Sequence, residues 1–194
     1  MPNWSENKLE ITGNQKDLEI FKERTKGKQK DEDSNLSLNS LVPIPEDEKG
    51  NWYNWSCQNW GVKWDIEKDS VRINHTKTSL KYDFLTTWNP PMVWIKRISR
   101  LFPNLEFNVS FLEFGFGVFG EARTINGKVF RCDRSSEFSD LMESGEKAFK
   151  KDQSIDDCPY DEDTFEALLW QQGFETSADD FEYEKENNNN ESEV

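Results

Sequence analysis

Three stretches of this chain alternate apolar and polar residues with the period of a β-strand, and the helical patterns between them leave few folds open. "NKLEIT" places Leu9 and Ile11 on one side, "SLKYDFLTTW" turns Leu80, Tyr82 and Phe84 inward, and "LEFNVSF" does the same with Leu105, Phe107, Val109 and Phe111. After the first strand, "GNQKDLEIFKERTKG" predicts a helix capped by Asn14, with Leu18 and Phe21 on one face and Gly27 as its stop. "DSVRINH", with Val71 and Ile73 inward, lies close enough to the second long strand to form a hairpin with it. "WNPPMVWIKRISRLFPN" then predicts a helix that starts near Asn89 or Pro90 and carries Pro91 in its first turn. Trp94, Ile95, Ile98, Leu101 and Phe102 share one face of it, and Lys96, Arg97 and Arg100 the other. "GEARTINGKVFR" reads as a hairpin turning at Asn126-Gly127. The charged run "KGKQKDEDSN" reads as a loop and "LSLNSLVPIPEDE" as an extended connection. In order this gives strand, helix, strand, strand, helix, strand and an extra hairpin: an α+β chain with the ferredoxin-like split βαβ antiparallel sheet and two covering helices.

Charge divides the chain. Residues 133–194 hold 20 Asp and Glu against 5 Lys and Arg, net −15, and residues 1–132 hold 18 against 19, net +1. The expected organisation is an aromatic-rich body at 1–132, an acidic helical extension at 133–182 and a disordered acidic, Asn-rich tail at 183–194, where too little apolar surface remains to offset the entropy of ordering. No apolar run approaches the roughly 20 residues of a membrane span, and the opening "MPNWSENKLE" has neither a basic nor an apolar leader region, so a cytoplasmic protein is expected. Cys57, Cys132 and Cys158 are odd in number and far apart, which points neither to a disulfide framework nor to a zinc site.

Before the second strand, "WYNWSCQNWGVKWD" concentrates Trp52, Trp55, Trp60 and Trp64. Large rings that bury about 150 to 250 Å² each suit the core at the open end of such a sheet, and the spacings of three and four put each pair on one helical side. The functional alternative is a platform on which bases or sugars stack on Trp60 and Trp64, with Lys63 and Asp65 as polar contacts. Together with "NWSENKLEITG" at the start and "TTWNPP" at 86–91, the box "WGVKWD" at 60–65 resembles an uncharacterised ferredoxin-like family, Api-like, encoded on bacterial plasmids, genomic islands and phages. The likeness spans roughly residues 1–122. Ser5, Val62 and Asn89 stand where that family usually has Cys, Thr and Ser, so no role for the cysteine carries over. The resemblance implies the fold and a mobile-element origin, and no reaction.

Catalytic patterns are sparse. His75 is the single histidine, at the end of a predicted strand, where a surface residue is expected rather than a general base. "GFGVFG" at 115–120 satisfies GxGxxG literally, but a hairpin follows it instead of a helix N-terminus, so it holds no pyrophosphate. Gly115, Gly117 and Gly120 are expected to permit a bulge or sharp coiling of the strand. No catalytic residue, metal or cofactor is assigned, and the chain is read as a non-enzyme.

The acidic third predicts two amphipathic helices, one with Phe138, Leu141 and Met142, the other with Phe165, Leu168 and Leu169, followed by Trp170 and stopped at Gly173. Three roles are open to it: docking on the body with solvated carboxylates, imitation of nucleic-acid phosphates, or laying an apolar face into a partner's groove. The residues expected to meet a partner are Asp161, Glu162, Asp163, Phe165, Leu168, Leu169, Trp170, Asp179, Asp180 and Glu182. The partner is expected to be a host protein with a basic, nucleic-acid-binding surface, the version suited to a mobile element being a counter-defence inhibitor of a host nuclease. A general adaptor that binds through the Trp-rich body is the alternative. Phosphate repulsion excludes direct DNA binding by the acidic region.

Overall fold

Alternation along the strands is realised in one six-stranded antiparallel sheet within a computed structural model that describes residues 3–29 and 32–191. Its strands are β1 (Trp4–Thr12), β4 (Arg72–His75), β5 (Ser79–Thr87), β6 (Glu106–Glu113), β7 (Val118–Ile125) and β8 (Lys128–Asp133), in the spatial order β4-β5-β1-β6-β7-β8. β1 lies at the centre, pairing with β5 from Trp4 opposite Thr87 to Thr12 opposite Ser79, and with β6 from Ser5 opposite Glu113 to Thr12 opposite Glu106. The order β4-β5-β1-β6 is the ferredoxin-like one, and the β7-β8 hairpin extends it. Helices α1 (Gln15–Arg24) and α4 (Met92–Leu101) cover one face. A short hairpin, β2 (Gly27–Gln29) with β3 (Glu32–Ser34), and helices α2 (Leu38–Leu41) and α3 (Trp52–Asn59) fill the long connection before β4. The chain divides into two compact units, Met1–Asp133 and Arg134–Val194.

Because facing residues share a side of the sheet, the covered face of the first unit can be read in rows. Leu80, Ile11 and Phe107 form one row, Tyr82, Leu9 and Val109 the next, all buried with Leu18 and Phe21 of α1 and Trp94, Ile95 and Ile98 of α4. Each such side chain contributes on the order of 1.5 to 3 kcal/mol. At the far end the rows turn polar. Phe84, Asn7 and Phe111 are followed by Thr86, Ser5 and Glu113, and all are buried. The Glu113 carboxylate accepts the backbone N–H groups of Gly115 (2.7 Å) and Phe116 (2.8 Å), tying down the β6–β7 turn. The Asn7 amide donates to the Ser5 carbonyl (2.9 Å) and to Thr86 Oγ1 (2.8 Å). Ser5 Oγ has no hydrogen-bond partner among the described residues. A cysteine, which behaves as a small hydrophobe, fits that place better than a hydroxyl.

Several local expectations are corrected. α1 ends at Arg24, not at Gly27, because Thr25 caps it by returning its N–H and its hydroxyl to the Phe21 carbonyl (3.0 and 3.1 Å). Gly27 instead opens β2, where a Cβ would stand 2.5 Å from that of Ser37, so part of the charged run is a paired hairpin rather than a loop. "LSLNSLVPIPEDE" contains α2 and the start of a 3-10 turn at Glu46–Asn51 rather than an extended chain. Leu101 is 51% exposed, off the stripe formed by Trp94, Ile95, Ile98 and Phe102. β7 keeps regular register with both neighbours and carries no bulge: Gly117 takes the turn with φ 63°, and Gly120 admits the Cys132 carbonyl within 2.5 Å of where a Cβ would be. Asn126 and Gly127 adopt φ 44° and 74°, as a type I′ turn requires.

The second unit is a pair of crossing helices, α5 (Phe138–Phe149) and α6 (Phe165–Glu191). Gly173 does not stop α6. A Cβ there would lie 2.9 Å from Met142 Cα, and one on Gly145 would lie 2.9 Å from the Trp170 carbonyl carbon, so the two glycines let the backbones touch. Phe149 meets Phe174 (5.4 Å between ring centres) and Phe181 (6.0 Å), and Trp170 stacks on Phe174 (5.5 Å). Within the stretch 183–194 expected as an unstructured tail, α6 is continuous through Glu191, since each added helical residue needs only a local hydrogen bond; residues 192–194 lie outside the described residues.

Candidate functional site

The tryptophan-rich segment divides between core and surface. Trp60 is 2% exposed, donates its indole N–H to the Val42 carbonyl (2.9 Å) and meets Trp55 edge-on at 5.6 Å. It cannot serve as a stacking platform. The Trp94 indole likewise donates to the Leu38 carbonyl at 3.0 Å. Asp65 caps the same short helix, α2, accepting Leu38 N–H (2.6 Å), Ser37 Oγ–H (2.6 Å) and Asn39 N–H (3.3 Å), as well as its neighbour Ile66 N–H (2.8 Å). Burial pushes its carboxyl above the usual range, and those hydrogen bonds pull the other way. Trp60, Trp94 and Asp65 thus form a clamp on residues 37–42, and two of the four expected body-site residues belong to structure.

The other two belong to a surface cluster. Lys63 Nζ sits 4.5 Å from the Trp64 ring centre and 5.6 Å from that of Trp88, and Trp4 meets Trp64 edge-on at 6.3 Å. Two backbone contacts hold the three segments together: Trp88 N–H to the Asn3 carbonyl (3.0 Å) and Lys63 N–H to Thr87 Oγ1 (3.2 Å). Trp88 adopts φ 68°, a region a bulky side chain rarely occupies. All four side chains are half-buried. The three sequence boxes therefore converge at one end of β1 and β5, and Trp4 and Trp88 join Lys63 and Trp64. Their own spacing gave no sign of it, since 84 residues of chain separate them. Trp52 stands apart, 43% exposed, with its ring against Tyr53. Of the two pairs expected to share a helical side, Trp52 and Trp55 do lie three apart within α3, whereas Trp60 and Trp64 do not share a helix, because α3 stops at Asn59 with Trp60 as its cap and Trp64 beyond it.

In the second unit the expected partner residues separate by chemistry. Phe165, Leu169 and Trp170 are buried and Leu168 is half-buried, so the apolar stripe is taken up in the folded chain. Asp161, Glu162, Asp163, Asp179, Asp180 and Glu182 are exposed. Arg134 is the focus of the unit's ion pairs, reaching Glu137 (2.7 Å) and Glu166, and its guanidinium holds the Glu137 carboxyl below the ordinary range. Arg134–Val194 carries 19 carboxylates against 5 basic side chains, net −14, and Met1–Asp133 carries 19 of each.

His75, at the end of β4, is exposed and lines a shallow groove of about 440 Å³ with Gln15, Glu19 and Lys22 of α1. Among the described residues Cys57, Cys132 and Cys158 are free, and no three His, Cys, Asp or Glu side chains gather where a metal ion could bind. No described helix is long and apolar enough to cross a membrane.

These features define an antiparallel α+β domain of the ferredoxin-like type. Residues 59–152 match the family model described as a ferredoxin-like domain in Api92-like protein, so the resemblance read from the tryptophan boxes holds for that stretch. Among solved structures, protein api92 from Yersinia pseudotuberculosis, itself assigned to family DUF1281, is similar to this chain with 10% identity and a TM-score of 0.48, over 68% of this chain and 98% of that one. No curated protein in the comparison matches.

Proposed function

We propose that this is a non-catalytic binding protein of a bacterial mobile element, whose acidic helix pair engages the basic surface of a nucleic-acid-binding host protein. In that role it would imitate nucleic-acid phosphates and inhibit, as a counter-defence protein does. One observation carries the reading: the second unit turns its large apolar side chains inward up to Trp170 and presents Asp161, Glu162, Asp163, Asp179, Asp180 and Glu182 outward, at net −14. Carboxylates fixed on helices present charge at defined positions, as a phosphate backbone does, and a basic groove attracts them from a distance.

The test is capture from a bacterial lysate by the full chain and by a variant with those six carboxylates changed to Asn or Gln. Nucleic-acid-binding proteins are expected on the native chain only, released as salt rises and displaced by added DNA, because exposed charges are screened within about 8 Å at physiological ionic strength. Capture that survives high salt and the six changes would overturn the reading. That result would favour an adaptor binding through Lys63, Trp64, Trp4 and Trp88, a second reading that draws support from the half-buried cluster and the unusual backbone of Trp88.

A further inference from the structure

Although Met1–Asp133 is neutral as a whole, its cations are not evenly spread. Across the helical side run five exposed basic residues, Arg24 of α1, Lys96, Arg97 and Arg100 of α4, and Arg131 of β8. Contacts within the unit fix them as neighbours. The Arg24 guanidinium lies 5.4 Å from the ring centre of Phe102, the residue that caps α4. The Arg100 chain lies over the β7–β8 turn, its Cδ 3.0 Å from where a Gly127 Cβ would be, and Ser99 Oγ accepts the Gly127 N–H (2.8 Å). Arg131 faces the same side, opposite Ala122, with its guanidinium 5.1 Å from the Phe111 ring centre. None of the five has an ion pair among the described residues, whereas Lys26, Lys49, Lys81 and Arg123 each have a carboxylate partner. Exposed Leu101 and Val129 lie within the band, so an apolar contact is on offer beside the charges.

The matching surface is present in the same chain. Past Phe181, α6 has run beyond the last residue of α5, and there Asp179, Asp180 and Glu182 stand exposed beside Phe181 (57%) and Tyr183 (68%). We propose that the α4–β8 basic band of one copy receives this acidic, aromatic end of α6 from a second copy. Charge complementarity argues for that occupant over nucleic acid, which the net charge of −14 repels. The two surfaces differ, so the contact is head-to-tail and propagates unless it closes into a ring. The proposal borrows the acidic helix of the proposed function but adds a second surface to it.

Sedimentation velocity of the full chain over a concentration series, at low and at moderate salt, reads the association directly. Two variants divide the interface: Lys96→Glu, Arg97→Glu, Arg100→Glu on the band, and Asp179→Lys, Asp180→Lys, Glu182→Lys on the helix end. Each alone is expected to weaken self-association by at least about tenfold, the sum of three exposed ion pairs. Mixed, they rebuild the native contact and also set the reversed band against the reversed helix end, so association should recover; the neutral Gln and Asn versions of the two variants, mixed, retain one competent surface each and should form a 1:1 dimer and nothing larger. The corresponding Gln and Asn variants should shift the equilibrium less and in the same direction, which keeps the test open if a reversal variant folds poorly.

A full chain that stays monomeric throughout, or a mixture that fails to restore association, overturns the proposal. So does a labelled single-stranded oligonucleotide that binds the native chain and not the band variant while the chain remains monomeric, which would assign the band to nucleic acid. The band variant keeps every acidic residue, so continued salt-sensitive capture of basic host proteins by it separates failure of this proposal from failure of the proposed function.

Discussion

Gly173→Ala sets two opposed effects against each other, and the structure decides the sign. Inside a helix, alanine is favoured over glycine by about 1 kcal/mol. At this position the added methyl would fall within van der Waals contact of the Met142 carbonyl oxygen, 2.7 Å from its carbon and 2.9 Å from Met142 Cα. Those atoms are backbone of α5 and cannot rotate away, so the helices must part, and overpacking of this kind costs about 1 to 3 kcal/mol. Parting them also loosens the Trp170–Phe174 and Phe149–Phe174 contacts. The sterics prevail, and a net loss of about 1 to 2 kcal/mol is expected in the second unit. Hydrogen exchange read by mass spectrometry, peptide by peptide, should show faster exchange across residues 138–149 and 165–181, with the sheet unchanged. Gly50→Ala is the control, since nothing lies within 4 Å of that Cβ. Protection in α5 and α6 equal to or greater than that of the native chain would refute the close-crossing account.

Trp60→Phe should lower the denaturant midpoint by the equivalent of about 1 to 3 kcal/mol, since it leaves the buried Val42 carbonyl without its donor, whereas Trp64→Phe, which keeps a ring beside Lys63 and Trp4, should cost less than about 1 kcal/mol, the scale of the weakened cation–π contact. Equal losses would contradict the division between core and surface cluster. Ser5→Cys is expected to stabilise the fold by about 1 kcal/mol, because it removes a buried hydroxyl that has no partner among the described residues. A loss on calorimetric melting would count against that placement. For Asp65, burial raises the folded-state pKa above the ordinary 3.8, so the folded chain binds this proton more tightly than the unfolded one. Its contribution is therefore full below that value and declines as pH rises through the raised folded value. Asp65→Asn should cost stability by weakening the α2 cap, and the gap between native and variant chains should narrow over that rise. A gap that widens instead would reverse the sign.

How much of this was legible in the sequence differs between the two units. Strand alternation gave β1, β5 and β6 with their inward residues, because period-two burial is a local property of each strand. Asn14 and the Asn126-Gly127 turn were legible for the same reason: cap and turn chemistry act over a few residues. The end of α1 was misread because Thr25 supplied a cap that glycine usually provides. β2 and β3 were missed because three-residue strands of glycine, charged and polar residues leave no apolar alternation to detect. In the acidic third, Gly173 read as a stop because no single helix reveals that another one passes over it. The apolar stripe of Phe165, Leu169 and Trp170 had the pattern of a partner-binding face, and the same pattern serves a helix buried in its own chain.

By itself the sequence determined the ferredoxin-like order of elements, the partition of charge and the three tryptophan boxes, since these rest on local periodicity, counting and spacing. Tertiary structure alone decided that Trp60 and Asp65 clamp residues 37–42 while Lys63 and Trp64 meet Trp4 and Trp88, and that five cations from α1, α4 and β8 line up on one side. Such neighbours are brought together by sheet register and helix packing across tens of residues, and a side chain's role as core or surface follows from what those long-range contacts place against it.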